Sequence, residues 1–439
     1  MEIVIKIAQL LLSLSILIIL HEFGHFIFAK LFKTRVEKFY LFFNPGFALF
    51  KFKKGETEYG MGWLPLGGYV KISGMIDESM DKEAMKEPPK PYEFRSKPAW
   101  QRLFIMLGGV LMNAVLAFLI YSGILFVWGE EYLPAENAKY GIMVDSLARE
   151  TGLQDGDKIL ALDREPVDDF FKIVPDLVLN EVSTIQVMRD GRMMDISVSD
   201  EIIPDLLNSP GFVAPRFPFI LDRFAEESVA KEAGMKKGDR FIGFNGYDVR
   251  FYDQVTDSIE ANKGEAITVS VLRDKDTLTF PMEVPPEGKL GVYANGNLSY
   301  HFDLKKHTYS FLQSIPAGFD RGVETFVSYL KQLRLIFSPE TKAYKSVGGF
   351  ITIGSIFPGE WNWQSFWSLT AFLSIILAIM NLLPIPALDG GHVMFLMYEI
   401  ISGRKPSDKF MEYAQMTGMI LILALLIFAN GNDIIKLFN

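Results

Sequence analysis

The chain has 439 residues, 49% of them hydrophobic, a formal charge of −9 and no cysteine. The missing thiols exclude disulfides, cysteine-ligated zinc, iron–sulfur clusters and thiol nucleophiles, so any metal must be held by histidine and carboxylate. The acidic balance, with no basic stripe interleaved with exposed aromatics, argues against nucleic acid as a partner.

Four apolar blocks, Ile3 to Phe32, Leu103 to Trp128, Phe366 to Ile401 and Met411 to Phe428, are each long enough to cross a bilayer, which takes about 20 helical residues. They predict a polytopic α-helical membrane protein. The first block contains a leader-like run, Ile7 to Leu20, but stays apolar through Phe32 without a small-residue cleavage site, so it reads as a span.

Late in that span lie His21, Glu22, Phe23, Gly24 and His25. Ionisable groups are expensive inside a membrane and mark function there. Positions i and i+4 share a helix face, so both imidazoles can reach one metal ion, while Glu22 is free to act as general base, as in zinc hydrolases. A chance match or a satisfied pair of core histidines would look the same in isolation.

Lys30, Lys33, Arg35, Lys38, Lys51, Lys53 and Lys54 follow the first span, Arg95, Lys97 and Arg102 precede the second, and Arg404 and Lys405 follow the third. The positive-inside rule makes these segments cytoplasmic and puts the large middle region outside. Between the first two spans, Phe47 to Phe52 and Tyr69 to Ile72 read as short strands of a small glycine-rich hairpin or sheet at the membrane face, with Pro65 and glycines 60, 62, 67 and 68 between. Ser79 to Pro91 reads as a surface segment.

Gly129 to about Pro286 is mixed and acidic, and repeats internally: Gly152 to Asp163 aligns with Gly234 to Asn245 at an offset of 82 residues. Each copy reads as a helix ending on glycine, then Gly-apolar-x-x-Gly-Asp-basic and an apolar strand. The pattern resembles PDZ domains of the bacterial protease type, which accept a chain end or strand by β-addition. A duplicated spacer without a ligand is the alternative. His307 to Phe337 reads as a helix with apolar residues at spacings of three and four, and Ser346 to Phe357 as a flexible connection.

Zinc held by two histidines lacks a third protein ligand. The third block supplies Asn381, Leu382, Leu383, Pro384, Ile385, Pro386, Ala387, Leu388, Asp389, Gly390, Gly391 and His392. Two prolines break the helix, which is tolerated at membrane depth only where the backbone is buried or lines water. Asp389 is the favoured third ligand, with His392 competing for the role.

Together HEFGH, NLLPIPALDGGH, PLGGYVK at Pro65 to Lys71 and the repeat resemble the site-2 protease family of intramembrane zinc metalloproteases, in its bacterial RseP type with tandem PDZ domains. The resemblance implies one Zn2+ per chain on His21, His25 and Asp389, Glu22 as catalytic base and Asn381 as a substrate-positioning residue. It implies that Pro65, Leu66, Gly67, Gly68, Tyr69, Val70 and Lys71 form a membrane-embedded hairpin contacting substrate. Where the family has Gly-Pro-x-x-Asn in the second span, this chain has Gly108, Gly109, Val110, Leu111, Met112 and Asn113.

The expected domains are residues 1–128, the first half of the membrane core; 129–203 and 204–290, two PDZ-like domains; 291–364, an amphipathic linker; and 365–439, the second half. The expected function is cleavage of transmembrane segments of single-span proteins, such as anti-sigma factors or remnant signal peptides, in regulated intramembrane proteolysis. The partners are those substrates, a peptide or protein segment at the PDZ domains and the lipid bilayer. The expected location is the bacterial inner membrane, with the PDZ region extracytoplasmic and the active site toward the cytoplasmic side. A transporter is disfavoured because the spans show no repeat. A catalytically inactive PDZ-bearing scaffold and a zinc-dependent membrane hydrolase of a non-peptide substrate remain as alternatives.

Overall fold

A computed structural model describes residues 1–65, 67–75, 88–180, 182–207, 209, 211–338, 341 and 343–438. The chain forms two compact units: Met1–Gly129, Thr308–Phe337 and Tyr344–Asn439 make the first, Glu130–His307 and Ser338–Ala343 the second.

Among its described residues the first unit has four helices long and apolar enough to cross a membrane: Glu2–Leu31, Ala99–Val127, Trp363–Leu382 and Lys409–Lys436. Side chains such as Ile3, Leu119 and Ile427 stay exposed on them, as a lipid-facing surface requires. Their inner faces approach through small residues. A Cβ on Gly24 would lie 2.1 Å from the carbonyl oxygen of Gly108, so the backbones of the first and second spans touch. Hydrogen bonds then tie in the third: Thr370 Oγ1 lies 3.0 Å from Ser13 Oγ, and Ser374 Oγ donates to the Asn113 carbonyl at 2.8 Å.

The third apolar block is not one span reaching Ile401. Its helix stops at Leu382, and a second helix, Asp389–Ser402, begins after a break. Pro384 and Pro386 lack amide hydrogens, and Ala387 adopts φ 79°, so the helical ladder cannot continue. Asp389 therefore opens a separate helix instead of lying late in a span.

Four strands follow the first span: β1 (Val36–Leu41), β2 (Phe50–Lys54), β3 (Thr57–Met61) and β4 (Tyr69–Ile72). They form one sheet in the order β2-β3-β1-β4. Of the hairpin or sheet expected here, the structure forms a sheet, with the expected strands placed as follows. The strand expected at Phe47 to Phe52 is β2, shifted to Phe50–Lys54, and β4 pairs not with it but antiparallel with β1, placing Val70 opposite Phe39 and Tyr69 opposite Tyr40. β1 hid from a period-two reading because Val36 and Tyr40 are its only buried positions, with Glu37 and Lys38 between them. Ile72 and Val36 pack with Ala29, Ile105 and Leu396, which fixes β4 against the first span. Of the surface segment expected at Ser79 to Pro91, positions 79–87 lie outside the described residues.

Two further boundaries move. The helix expected from His307 runs from Phe311 to Phe337, because His307 belongs to a strand paired with Glu130–Tyr132. The connection expected to be flexible contains the helix Phe350–Ile356, whose first amides, Ile351 and Thr352, donate to the Asp433 carboxylate at 3.0 Å.

In the second unit the internal repeat is structural. Lys158–Leu162 and Arg240–Phe244 occupy the same place in two four-stranded sheets of the same connectivity. Gly152 and Gly156 have φ of 97° and 95°, Gly234 and Gly238 of 96° and 93°, values that favour glycine. In each copy a buried aspartate accepts a turn amide, Asp157 from Gln154 and Asp239 from Lys236, and receives the fork of an arginine, Arg189 or Arg273, at 2.7 Å. Both guanidinium pKa values are raised by that hydrogen-bonded carboxylate.

The glycine contact gives a direct test. Gly123, in the same span as Gly108, has nothing within 4 Å of a built Cβ. Gly123→Ala should leave the thermal midpoint unchanged or higher, since alanine favours a helix by about 1 kcal/mol. Gly24→Ala should lower it. Thermal unfolding of the two purified variants decides; a Gly24→Ala midpoint equal to wild type would refute backbone contact at the crossing.

Candidate metal centre

His21 and His25 are one turn apart on the first span and both are buried. The Asp389 carboxylate comes to them from the helix after the proline break. His21 Nε2 lies 3.2 Å from Asp389 Oδ2, His25 Nε2 lies 3.3 Å from it, and the two imidazole nitrogens are 3.3 Å apart. Tetrahedral zinc with nitrogen and oxygen ligands at 2.0–2.2 Å separates its donor atoms by roughly 3.3–3.5 Å. The triangle has that size.

Its chemistry also fits a cation. His25 Nδ1 lies 2.8 Å from the Ile105 carbonyl oxygen, which can only accept, so the proton sits on Nδ1 and a lone pair on Nε2. Asp389 Oδ2 is buried with no hydrogen-bond partner. Lone pairs this close repel unless a positive ion lies among them. Among the described residues, this is the group of histidine and carboxylate side chains able to hold a metal.

The second span makes room for it. A Cβ on Gly109 would fall 2.5 Å from His21 Cε1 and 2.6 Å from His25 Nε2, so glycine is required. Asn113, fully buried, places its amide 3.3 Å from His21 Nδ1. In the sequence Gly108 to Asn113 stood out only as a departure from the family's Gly-Pro-x-x-Asn; the signal for a role was a polar side chain one turn after glycine in an apolar helix.

The other expected site residues distribute as follows. Asn381 brings its amide to 3.5 Å from His21 Nε2, on the side where the donor atoms meet. Glu22 lies beside the chain entering β4, next to the Val70 backbone, and within electrostatic reach of His21, His25 and Asp389. Gly68 presses on Glu22: its Cβ would lie 3.3 Å from Glu22 Cγ and 2.9 Å from the Tyr40 carbonyl oxygen. Tyr69 stacks on Tyr40 and Phe43, and Lys71 pairs with Glu37 at 3.7 Å. Pro65 and Gly67 lead into β4; Leu66 lies outside the described residues. His392 is not with the triangle: its Nε2 lies 2.8 Å from the Gln415 amide. Of the two candidates for the third place, Asp389 lies with the histidines and His392 does not.

Residues 9–425 match the model of peptidase family M50. The chain belongs to that family. It is similar to a protein named as a zinc metalloprotease in Neisseria meningitidis, with 29% identity over 97% of this chain and 98% of the relative. A similarly named protein of Clostridium perfringens is 28% identical, with 97% of each chain covered. The regulator of sigma E protease of Haemophilus influenzae is 25% identical over 98% of this chain and 99% of its own length. As an M50 peptidase of the site-2 protease family, this chain is a zinc metalloprotease with several membrane-spanning helices.

Proposed function

We propose that this M50 peptidase cuts transmembrane segments of single-span membrane proteins at the His21, His25 and Asp389 triangle. The observation that carries the reading is the convergence of three lone-pair atoms beside Glu22 at the edge of β4. Zinc held there supplies Lewis acidity toward a peptide carbonyl and toward water. Glu22 takes a proton from the attacking water and delivers it to the departing amide nitrogen. Asn381 orients the scissile carbonyl through its side-chain amide.

A helical substrate has its backbone hydrogen bonds satisfied and must unwind before its carbonyl is exposed. Among the described residues β4 is an edge of its sheet and lies against Glu22, so an unwound chain pairing with Tyr69–Ile72 arrives at the base. This favours a peptide over a small-molecule substrate. A scaffold without catalysis leaves the buried triangle and Glu22 unexplained.

The two repeated sheets support the PDZ-like reading of the second unit, which in this proposal admits substrates already trimmed of a bulky outer domain. The basic residues of 30–54 and 95–102 and Arg404 and Lys405 support a cytoplasmic placement of those segments, with the second unit extracytoplasmic in a bacterial inner membrane. Anti-sigma-factor-like proteins and remnant signal peptides are the substrate classes this arrangement suits.

Three outcomes follow. Glu22→Gln should retain stoichiometric zinc and lose about 10²–10⁴-fold in kcat on a model span, the range of general-base contributions. Metal analysis beside a cleavage assay with long and trimmed substrates reads this, and full turnover by the variant would remove Glu22 as base. Val70→Pro deletes a backbone amide of the edge strand beside Glu22 and distorts that edge, so it should cost roughly five- to a hundredfold in rate while Val70→Ala stays near wild type. Equal losses for the two would point to side-chain packing instead. For sidedness, single cysteines at Lys53 and Asp274 should react differently with an impermeant reagent in intact cells, position 274 labelling and position 53 not. The opposite pattern would reverse the proposed orientation.

A further inference from the structure

His21 and His25 face the triangle through Nε2, and each turns Nδ1 to the second span. For His25 the partner is the Ile105 carbonyl, which holds the proton on Nδ1. His21 needs the same tautomer if its Nε2 lone pair is to reach a metal, so its Nδ1–H needs an acceptor. The side chain there is Asn113, at 3.3 Å through Nδ2. An amide nitrogen in that place would donate to Nδ1 and drive the proton onto Nε2, toward Asp389.

Asn113 Oδ1, meanwhile, is buried without a partner. The oxygen and nitrogen of an amide are nearly isosteric, and the hydrogen-bond network decides which faces the ring. Turning the amide end for end gives the orphaned oxygen the Nδ1–H of His21 and frees the Nε2 lone pair.

We propose that Asn113 is a positioning residue for the metal: its side-chain oxygen accepts from His21 Nδ1–H and fixes the ligating tautomer. The second span then acts as a template with one residue per turn on one face. Ile105 orients His25, Gly109 leaves space for both rings, and Asn113 orients His21. Ser374 on the third span anchors Asn113 through its backbone carbonyl at 2.8 Å, and both residues are fully buried. The inference rests on the reading of His21 as a zinc ligand.

The test is zinc affinity of the full-length, detergent-solubilised protein, measured by chelator competition. Asn113→Leu removes the acceptor and should weaken zinc binding about 10- to 100-fold, the usual cost of losing such a partner. Asn113→Ala makes the same deletion without added bulk and should agree, which covers a folding failure of the leucine variant. Asn113→Asp keeps an acceptor and should stay within a few-fold of wild type. Wild-type affinity in both acceptor-free variants, or equal weakening in Asn113→Asp, would overturn the proposal. A His21→Ala arm separates the two readings: retained stoichiometric zinc there would defeat His21 as a ligand, whereas its loss alongside normal binding by Asn113→Ala and Asn113→Leu would defeat only the role of Asn113.

Discussion

Three electron-rich atoms held 3.2–3.3 Å apart in a helix interface constrain everything around them. In a poorly hydrated setting their mutual repulsion is barely screened, so the arrangement suits a cation among them and neighbours that keep protons off the inward nitrogens. Ile105 performs the second task for His25 through a backbone carbonyl, which cannot change its role. The tight crossing at Gly24, Gly108 and Gly109 performs a third: it brings the second span near enough for those contacts to form. A side chain at any of the three would separate the helices or push the rings aside.

The break in the third span is the complementary device. A continuous helix would carry Asp389 past the first span along a single axis, with its carboxylate direction set by helix phase. Ending the helix at Leu382 and restarting at Asp389 frees the chain to turn, and Gly390 and Gly391 let the new helix pack directly on the backbone of the broken segment. Asn381, on the last turn before the break, and Asp389, on the first turn after it, thereby reach the same centre from two directions. Prolines account for the interruption.

The sheet after the first span places β4, an edge strand among the described residues, beside the Glu22 carboxylate. β4 is held from behind by β1 and from below by Ile72 in the core that joins the first and second spans, so its position relative to Glu22 is fixed by packing. In the second unit a different economy holds: each repeat is closed by an aspartate that serves a turn amide and an arginine at once, and each turn uses left-handed glycines at equivalent places.

By itself the sequence determined the features with short-range or compositional causes. Four apolar helices, the His21–Glu22–His25 face, the proline break before Asp389 and the 82-residue repeat are all readable from residue type and spacing. Local pattern misled where structure depends on distant partners. β1 reads as polar because its burial comes from β3, β4 and the first span; β4 was legible as a strand, but its register is set by β1, about thirty positions earlier. Only tertiary structure separated Asp389 from His392: the two lie three residues apart on one helix, and the first reaches the histidines while the second meets Gln415. It also decided what Gly109 and Asn113 are for. Glycine in an apolar helix is silent until a neighbour occupies the missing side chain's space, and a buried amide acquires a role only from the ring it faces.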